Sequence, residues 1–187
     1  MDNAQRQGVP LPAIYEQVLA RTMHEVGELW HRNILTVDKE HYATSVTQTV
    51  MSRFYDEIFS QPRKQLTLLS CSVGSELHEM GVRMLSDLFE YQGWDTYYMG
   101  ASVPDAAILN AIRERKPDLV ALSVTMPPYL PVCEQLVRNL RSEYPELKIA
   151  VGGQAFRTTQ ALWEKWPIDH YASSASALIQ WASSTFG

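Results

Sequence analysis

The stretch Leu66-Thr67-Leu68-Leu69-Ser70-Cys71-Ser72-Val73-Gly74-Ser75-Glu76-Leu77-His78-Glu79-Met80-Gly81 decides the fold. Its apolar start, Leu66 to Leu69, feeds a small, polar turn containing Gly74. Glu76 and His78 follow with one residue between them, and an amphipathic segment runs from Met80 to Phe89. That is a strand, a loop and a helix, with an acid and an imidazole where the strand hands over to the helix. In an open α/β sheet that edge is where ligands bind. His78 is therefore the first candidate for a metal ligand.

Outward from this stretch the pattern repeats. Strands are expected at Leu66 to Cys71, Thr96 to Met99, Leu119 to Val124, Lys148 to Val151 and His170 to Ala172. Helices are expected at Glu79 to Gln92, closed by Gly93 as C′ residue, at Asp105 to Arg115 and at Leu130 to Tyr144. A short one near Thr159 to Lys165 and a last one from Ser174 to Ser183 complete the series. Strict alternation with short joins predicts a parallel sheet covered on both faces.

Before Gln65 the pattern is helical. Residues Met1 to Pro12 read as a loose lead-in. A helix starts near Pro12, with Ile14, Val18, Val26 and Trp30 on one face, and stops near Asn33. Thr36 is a good N-cap for a second helix, with Asp38 in its first turn. Ala43, Val46, Val50, Phe54 and Ile58 form its apolar stripe, and Gln61 to Lys64 reads as a linker. The expected division is 1–62 for the helices and 63–187 for the α/β part. Two helices alone make a thin layer that needs something to pack on.

The bulk properties exclude more than they identify. A net charge of −5 argues against a surface built mainly for nucleic acid. No apolar run reaches the roughly 20 residues that span a bilayer, and Met1 to Gln7 lacks a signal-peptide core. Cys71 and Cys133 lie far apart and outside any CxxC, as expected for reduced thiols in a cytoplasmic protein. Gly-x-Gly-x-x-Gly, the P-loop and Gly-x-Ser-x-Gly are all missing, which argues against dinucleotide, NTP or hydrolase chemistry.

A metal-bound imidazole usually gives its other ring N–H to a carboxylate, and Glu76 is placed to accept it. The plainer reading is a histidine at a helix start beside a solvated glutamate, and these two residues alone favour it. Ser123 and Thr125 end the third strand and Gly152-Gly153 the fourth, so parallel strands put them on the edge that carries His78. Paired glycines let a ligand approach the backbone closely. They equally make an ordinary strand-to-helix turn. His24 is expected to face solvent, His170 lies at the last strand, and Trp94, Trp163, Trp166 and Trp181 read as core or interface residues.

Glu-x-His-x-x-Gly (Glu76, His78, Gly81), then Ser123, then Gly152-Gly153 resembles the cobalamin-binding domain family, whose common pattern is Asp-x-His-x-x-Gly, Ser-x-Leu and Gly-Gly. The resemblance implies a Rossmann-like (flavodoxin-like) sheet from about Gln65 to the C-terminus. It also implies that His78 replaces the cofactor's own base as lower cobalt ligand. The displaced nucleotide tail then inserts beside the sheet, near the serine and the glycines. Glu76 stands where Asp is usual and puts the acceptor on a longer arm. Thr125 stands where Leu is common and makes the tail pocket more polar.

Nine residues separate Trp30, directly followed by His31, from Glu40-His41. That Trp-x9-Glu-His arrangement resembles the cap of adenosylcobalamin photoreceptors of the CarH/LitR type. It implies that Trp30, Glu40 and His41 define an adenosyl pocket and that His31 can take cobalt after photolysis. A core tryptophan and a solvated Glu-His pair are the plain alternatives. A cap of that type has four helices, so the segment from about Pro12 to Ser60 is expected to be a partial four-helix bundle. No DNA-binding module is expected in this chain. Its partners would be cobalamin and either a second copy, a regulatory protein or a fused output domain. The rival readings are a corrinoid carrier for methyl transfer and a sensor that binds haem or another ligand and a transcription factor. Light sensing implies no enzymatic activity.

Overall fold

The computed structural model describes residues 7–159 and 161–187. They form two compact units, divided between Ser60 and Gln61. No helix among the described residues is long and apolar enough to cross a membrane.

In the helical unit, the first helix covers residues 11–31 in three parts: α-helical Leu11–Ala13, π-helical Ile14–Ala20 and α-helical Arg21–His31. A π turn closes from i to i+5, so Ile14 and Leu19 share one face and are buried. Val18, expected on that face, is turned out and 45% exposed. The helix ends where expected. Asn33 adopts φ 57°, its N–H bonds the Trp30 carbonyl at 2.9 Å, and the Ile34 N–H bonds Leu29 at 2.9 Å. These are the two bonds of a Schellman stop.

The second helix is two, Val37–Ser52 and Tyr55–Phe59, broken at Arg53-Phe54. Its buried residues are Thr47, Met51, Phe54 and Ile58, while Val46, expected in the stripe, is 44% exposed. Each residue turns a helix by about 100°, so repeated steps of four drift around it. The steps of four, three and four in the observed set hold one face. Thr36 precedes the helix in extended conformation without a side-chain cap. Its hydroxyl instead bonds the Asp38 carboxylate and lowers the pKa of that group. Tyr15 and Phe54 meet edge to face at 6.1 Å and join the helices.

The α/β unit has five parallel strands, β1 Thr67–Ser72, β2 Asp95–Tyr98, β3 Leu119–Ser123, β4 Lys148–Gly152 and β5 His170–Ala172. Their order is β2-β1-β3-β4-β5. The chain leaves β1 toward β2 on one side and returns to β3 on the other, which makes the carboxyl ends of β1 and β3 the switch point of a doubly wound sheet. Leu69, Cys71 and Val73 of β1 and its loop face a core with Ile108 and Leu136 of helices Asp105–Arg115 and Leu130–Glu143. Leu68 faces the opposite core with Phe89, Leu178 and Ala182 of helices Met80–Tyr91 and Ala175–Phe186. Helices thus cover both faces, and the expected Rossmann-like architecture is the one observed.

Two details differ from expectation. The segment Gln61 to Lys64, read as a linker, is held by the α/β unit. Arg63 pairs with buried Glu90 and bonds the Trp94 carbonyl at 2.9 Å, and the Lys64 N–H bonds Gly93 at 2.8 Å. The helix expected at Thr159 to Lys165 lies earlier, at Gln154–Arg157, followed by a 3-10 turn at Leu162–Lys165. Gly153, with φ +106°, lets that helix start directly after β4, and Gln160 lies outside the described residues. Cys71 and Cys133 are free and buried, and burial pushes both thiols up, Cys71 to about 12.

Candidate functional site

After β1 the chain turns at Gly74, φ 68°, and tucks the Glu76 side chain inward until it is 1% exposed. His78 stays outside, with 45% of its side chain exposed. One Glu76 oxygen, Oε1, takes both the Nδ1 atom of His78 and the His78 backbone N–H, the latter at 3.2 Å. The other, Oε2, accepts the backbone N–H groups of Met126 at 2.8 Å and Thr125 at 3.2 Å. Ser72 completes the hold by donating its hydroxyl to the His78 carbonyl at 3.1 Å. The longer arm of glutamate thus bridges the loops after β1 and β3.

Burial pushes the Glu76 carboxyl up, but the His78 ring, the Met126 and His78 N–H groups and the His78 charge outweigh it and hold it below its usual value. An ionised carboxylate only accepts. Nδ1 of His78 therefore carries the proton, and Nε2 is the nitrogen with which this ring would ligate a metal.

The strand registers put Ser72, Ser123, Gly152 and Ala172 in one row across β1, β3, β4 and β5 at the carboxyl edge. Two residues lower, Ser70, Ala121, Ala150 and His170 form the next row on the same face. Small side chains thus floor the side of the sheet under helices Met80–Tyr91 and Ala175–Phe186. The glycine pair has a structural reason of its own. A Cβ on Gly152 would lie 2.8 Å from the Ala172 carbonyl oxygen, and one on Gly153 2.3 Å from that of Val124. Gly81 differs, being exposed with no atom within 4 Å of where a Cβ would sit.

Trp30, His31, Glu40 and His41 belong to the helical unit. Trp30 is 37% exposed near the end of its helix and His31 is exposed beside it. Glu40 bonds His41 Nδ1 at 2.6 Å with one oxygen and the Thr44 hydroxyl at 3.0 Å with the other. His24 is exposed, as expected.

Among the described residues, no three His, Cys, Asp or Glu side chains converge to hold a metal ion. A metal at His78 would receive one protein ligand, which suits an ion that arrives with its other ligands in a macrocycle. A cleft of about 280 Å³ lies at the start of β5, beside Trp163, Trp166, Asp169 and His170. Sequence reasoning missed Ser72 and the Met126 N–H. Strand alternation could have found Ser72, which shares a face with Leu68, but a backbone donor from another loop leaves no mark in residue types.

Residues 66–178 match the B12 binding domain family, and residues 1–55 match a second family of the same description. The chain is 32% identical over 159 residues to the HTH-type transcriptional repressor CarH of Myxococcus xanthus, which covers 83% of this chain and 52% of that protein. It thus spans about half the length of that relative. It is 25% identical over 177 residues to dimethylamine corrinoid protein 3 of Methanosarcina acetivorans, covering 93% of this chain and 82% of the relative. The monomethylamine corrinoid protein of Methanosarcina barkeri shares the fold, with a TM-score of 0.85 at 17% identity over 99% of this chain and 88% of that one. With its B12 binding domain match running through all five strands, the chain belongs to the cobalamin (B12)-binding domain family.

Proposed function

We propose that the chain binds adenosylcobalamin with the cofactor's own base off cobalt and His78 on it, and that it serves as a light-sensing regulatory module. The observation that carries the cobalt assignment is the grip of buried Glu76 on Nδ1 of half-exposed His78, which fixes the tautomer a metal needs. Ser123, Thr125, Gly152 and Gly153 flank the nucleotide tail beside the sheet, and Gly81 leaves room at the start of the helix.

Adenosylcobalamin supplies a cobalt–carbon bond that visible light breaks. In this reading Trp30, Glu40 and His41 form the adenosyl pocket, with Glu40 fixed by its bonds to His41 and Thr44. His31 offers a second imidazole to cobalt after illumination. The output is a change in cap packing or oligomerisation, a two-state element biased by a local event. It is passed to a second copy, a regulatory protein or a fused domain. Similarity to a transcriptional repressor supports this reading.

The test is spectroscopic. Protein reconstituted in the dark with adenosylcobalamin should bleach under green light and give a stable spectrum of cobalt between two imidazoles. An unchanged dark spectrum in His78→Ala would sink the cobalt assignment, and an unchanged illuminated spectrum in His31→Ala would sink only the capture role.

Similarity over 82% of a dimethylamine corrinoid protein favours a second reading, a corrinoid carrier that serves a methyltransferase. It would share His78 and need neither Trp30 nor Glu40-His41. Tighter binding of methylcobalamin than of adenosylcobalamin would favour the carrier. Iron in the purified protein would point instead to a haem sensor.

A further inference from the structure

Three buried side-chain polar atoms lack a hydrogen-bond partner among the described residues: Tyr98 Oη, Trp166 Nε1 and His170 Nε2. A buried polar atom without a partner is costly, so each needs a reason. Tyr98 has Glu79 beside its hydroxyl. Trp166 lies on the other face of the sheet, against Phe156. His170 is left, and its place is specific. It sits in register with Ala150 of β4, in the row that continues to Ala121 and Ser70. That row lies two residues, roughly 6–7 Å, below the row of Ser72, Ser123 and Gly152. Its ring stacks on Trp181 of the last helix, with centroids 4.8 Å apart and planes 8° from parallel. The stack holds the imidazole against one wall of the face that the small residues floor.

We infer that His170 is a further cofactor-binding residue, which hydrogen-bonds through Nε2 to a base nitrogen or ribose oxygen of the cobalamin nucleotide tail. The inference rests on the base-off reading above. A tail that enters at the carboxyl edge passes Ser123 and Gly152 before it reaches this row. Burial lowers the pKa of His170 and keeps the ring neutral, with one ring nitrogen a donor and the other an acceptor. The tail supplies the partner that the protein alone does not. Occupancy of the groove thus completes a hydrogen bond left open in the folded chain.

The test uses two ligands and two readouts on the full chain. His170→Phe keeps a ring to stack on Trp181 and removes the polar atom. Its affinity for adenosylcobalamin should fall about tenfold, the effect of one buried hydrogen bond. Its affinity for adenosylcobinamide, which has no nucleotide tail, should not change. The melting temperature of the cofactor-free variant should stay level or rise, because the unpartnered atom is gone. His170→Gln, which keeps a polar group, should recover part of the affinity. Equal losses for both ligands, an unchanged affinity for adenosylcobalamin or a lower melting temperature in the cofactor-free His170→Phe protein would each overturn the assignment. If the unsubstituted protein binds neither corrinoid, the cobalamin reading fails, not only the role of His170.

Discussion

Met126 donates its backbone N–H at 2.8 Å to the carboxylate of Glu76, fifty residues earlier in the chain. The bond ties the loop after β1 to the loop after β3 at the switch point of the sheet. The acceptor for the His78 ring is therefore set by two strands of the core, and a shift of either loop would move the imidazole.

Replacing Glu76 separates the two jobs of this carboxylate. Glu76→Ala takes the acceptor from the N–H groups of Thr125 and Met126, which should lower stability by about 0.5–1.5 kcal/mol for each hydrogen bond lost. It also frees the ring, and cobalamin affinity should drop about 10–100-fold. Glu76→Gln with its oxygen toward Thr125 and Met126 keeps their acceptor, but its amide then turns donors to the His78 backbone N–H and to Nδ1, so one backbone bond is lost and the ring proton moves to Nε2. That variant should melt between the unsubstituted protein and Glu76→Ala yet lose the His-on cobalt spectrum. Melting curves and corrinoid titrations check both halves, and a normal spectrum in Glu76→Gln would count against the tautomer argument.

The helical unit offers a test of which face is buried. Met51 is fully buried, whereas Val46, in the expected stripe, is 44% exposed. Met51→Ala should cost about 2–5 kcal/mol as a cavity in a closed core, and Val46→Ala less than about 0.5 kcal/mol. Denaturant unfolding followed by helical circular dichroism measures both.

The parallel sheet was legible because alternation of apolar runs and amphipathic segments is a local property. The run at Leu66 to Leu69 and the helix after it mark a β-α unit wherever they occur. Parallel direction then places the residues after β1, β3 and β4 on one edge, which is how His78, Ser123 and Gly152 could be grouped without coordinates. The π turn at Ile14–Ala20 was not legible, because no residue type in it demands closure from i to i+5. Nor was the docking of Arg63 on Glu90, since a Pro-Arg-Lys stretch between two patterns looks the same free or held. The Met126 contact was hidden because a backbone N–H belongs to every residue except proline.

Asp169 gives the stability of the α/β unit a dependence on acid. It accepts from Arg141 Nη2 at 2.5 Å, Lys148 Nζ at 2.9 Å and the Ile149 N–H at 2.9 Å, so it joins β4, β5 and helix Leu130–Glu143. Burial pushes its carboxyl up, but these three donors outweigh it and leave the pKa lowered. A carboxylate with a depressed folded pKa stabilises above its unfolded value, about 3.9, and loses that contribution as pH falls through the folded one. Asp169→Asn should therefore be less stable than the unsubstituted protein by about 1–3 kcal/mol near neutral pH. The gap should narrow below about pH 4. Urea unfolding of both proteins across that range tests it, and a gap that does not change with pH would rule the carboxylate out.

The glycines of the site divide into a pair the fold demands, Gly152 and Gly153, and one it does not, Gly81. Gly153 holds φ +106°, and a Cβ there would lie 2.3 Å from the Val124 carbonyl oxygen. Gly153→Ala therefore combines a backbone penalty of about 1–3 kcal/mol with a clash that moves β3 or β4, and any loss of cofactor would follow from damage to the sheet. Gly81 lies in the first turn of helix Met80–Tyr91 and has open space where a Cβ would go. Gly81→Ala should raise the stability of the cofactor-free protein by about 0.5–1 kcal/mol through helix propensity. If the space beside Gly81 is where the corrinoid lies, the same substitution must lower cobalamin affinity while the protein melts higher. Opposite signs in the two measurements mark a glycine kept for its ligand. An affinity that stays level would mean that Gly81 belongs to the sequence pattern without touching the cofactor.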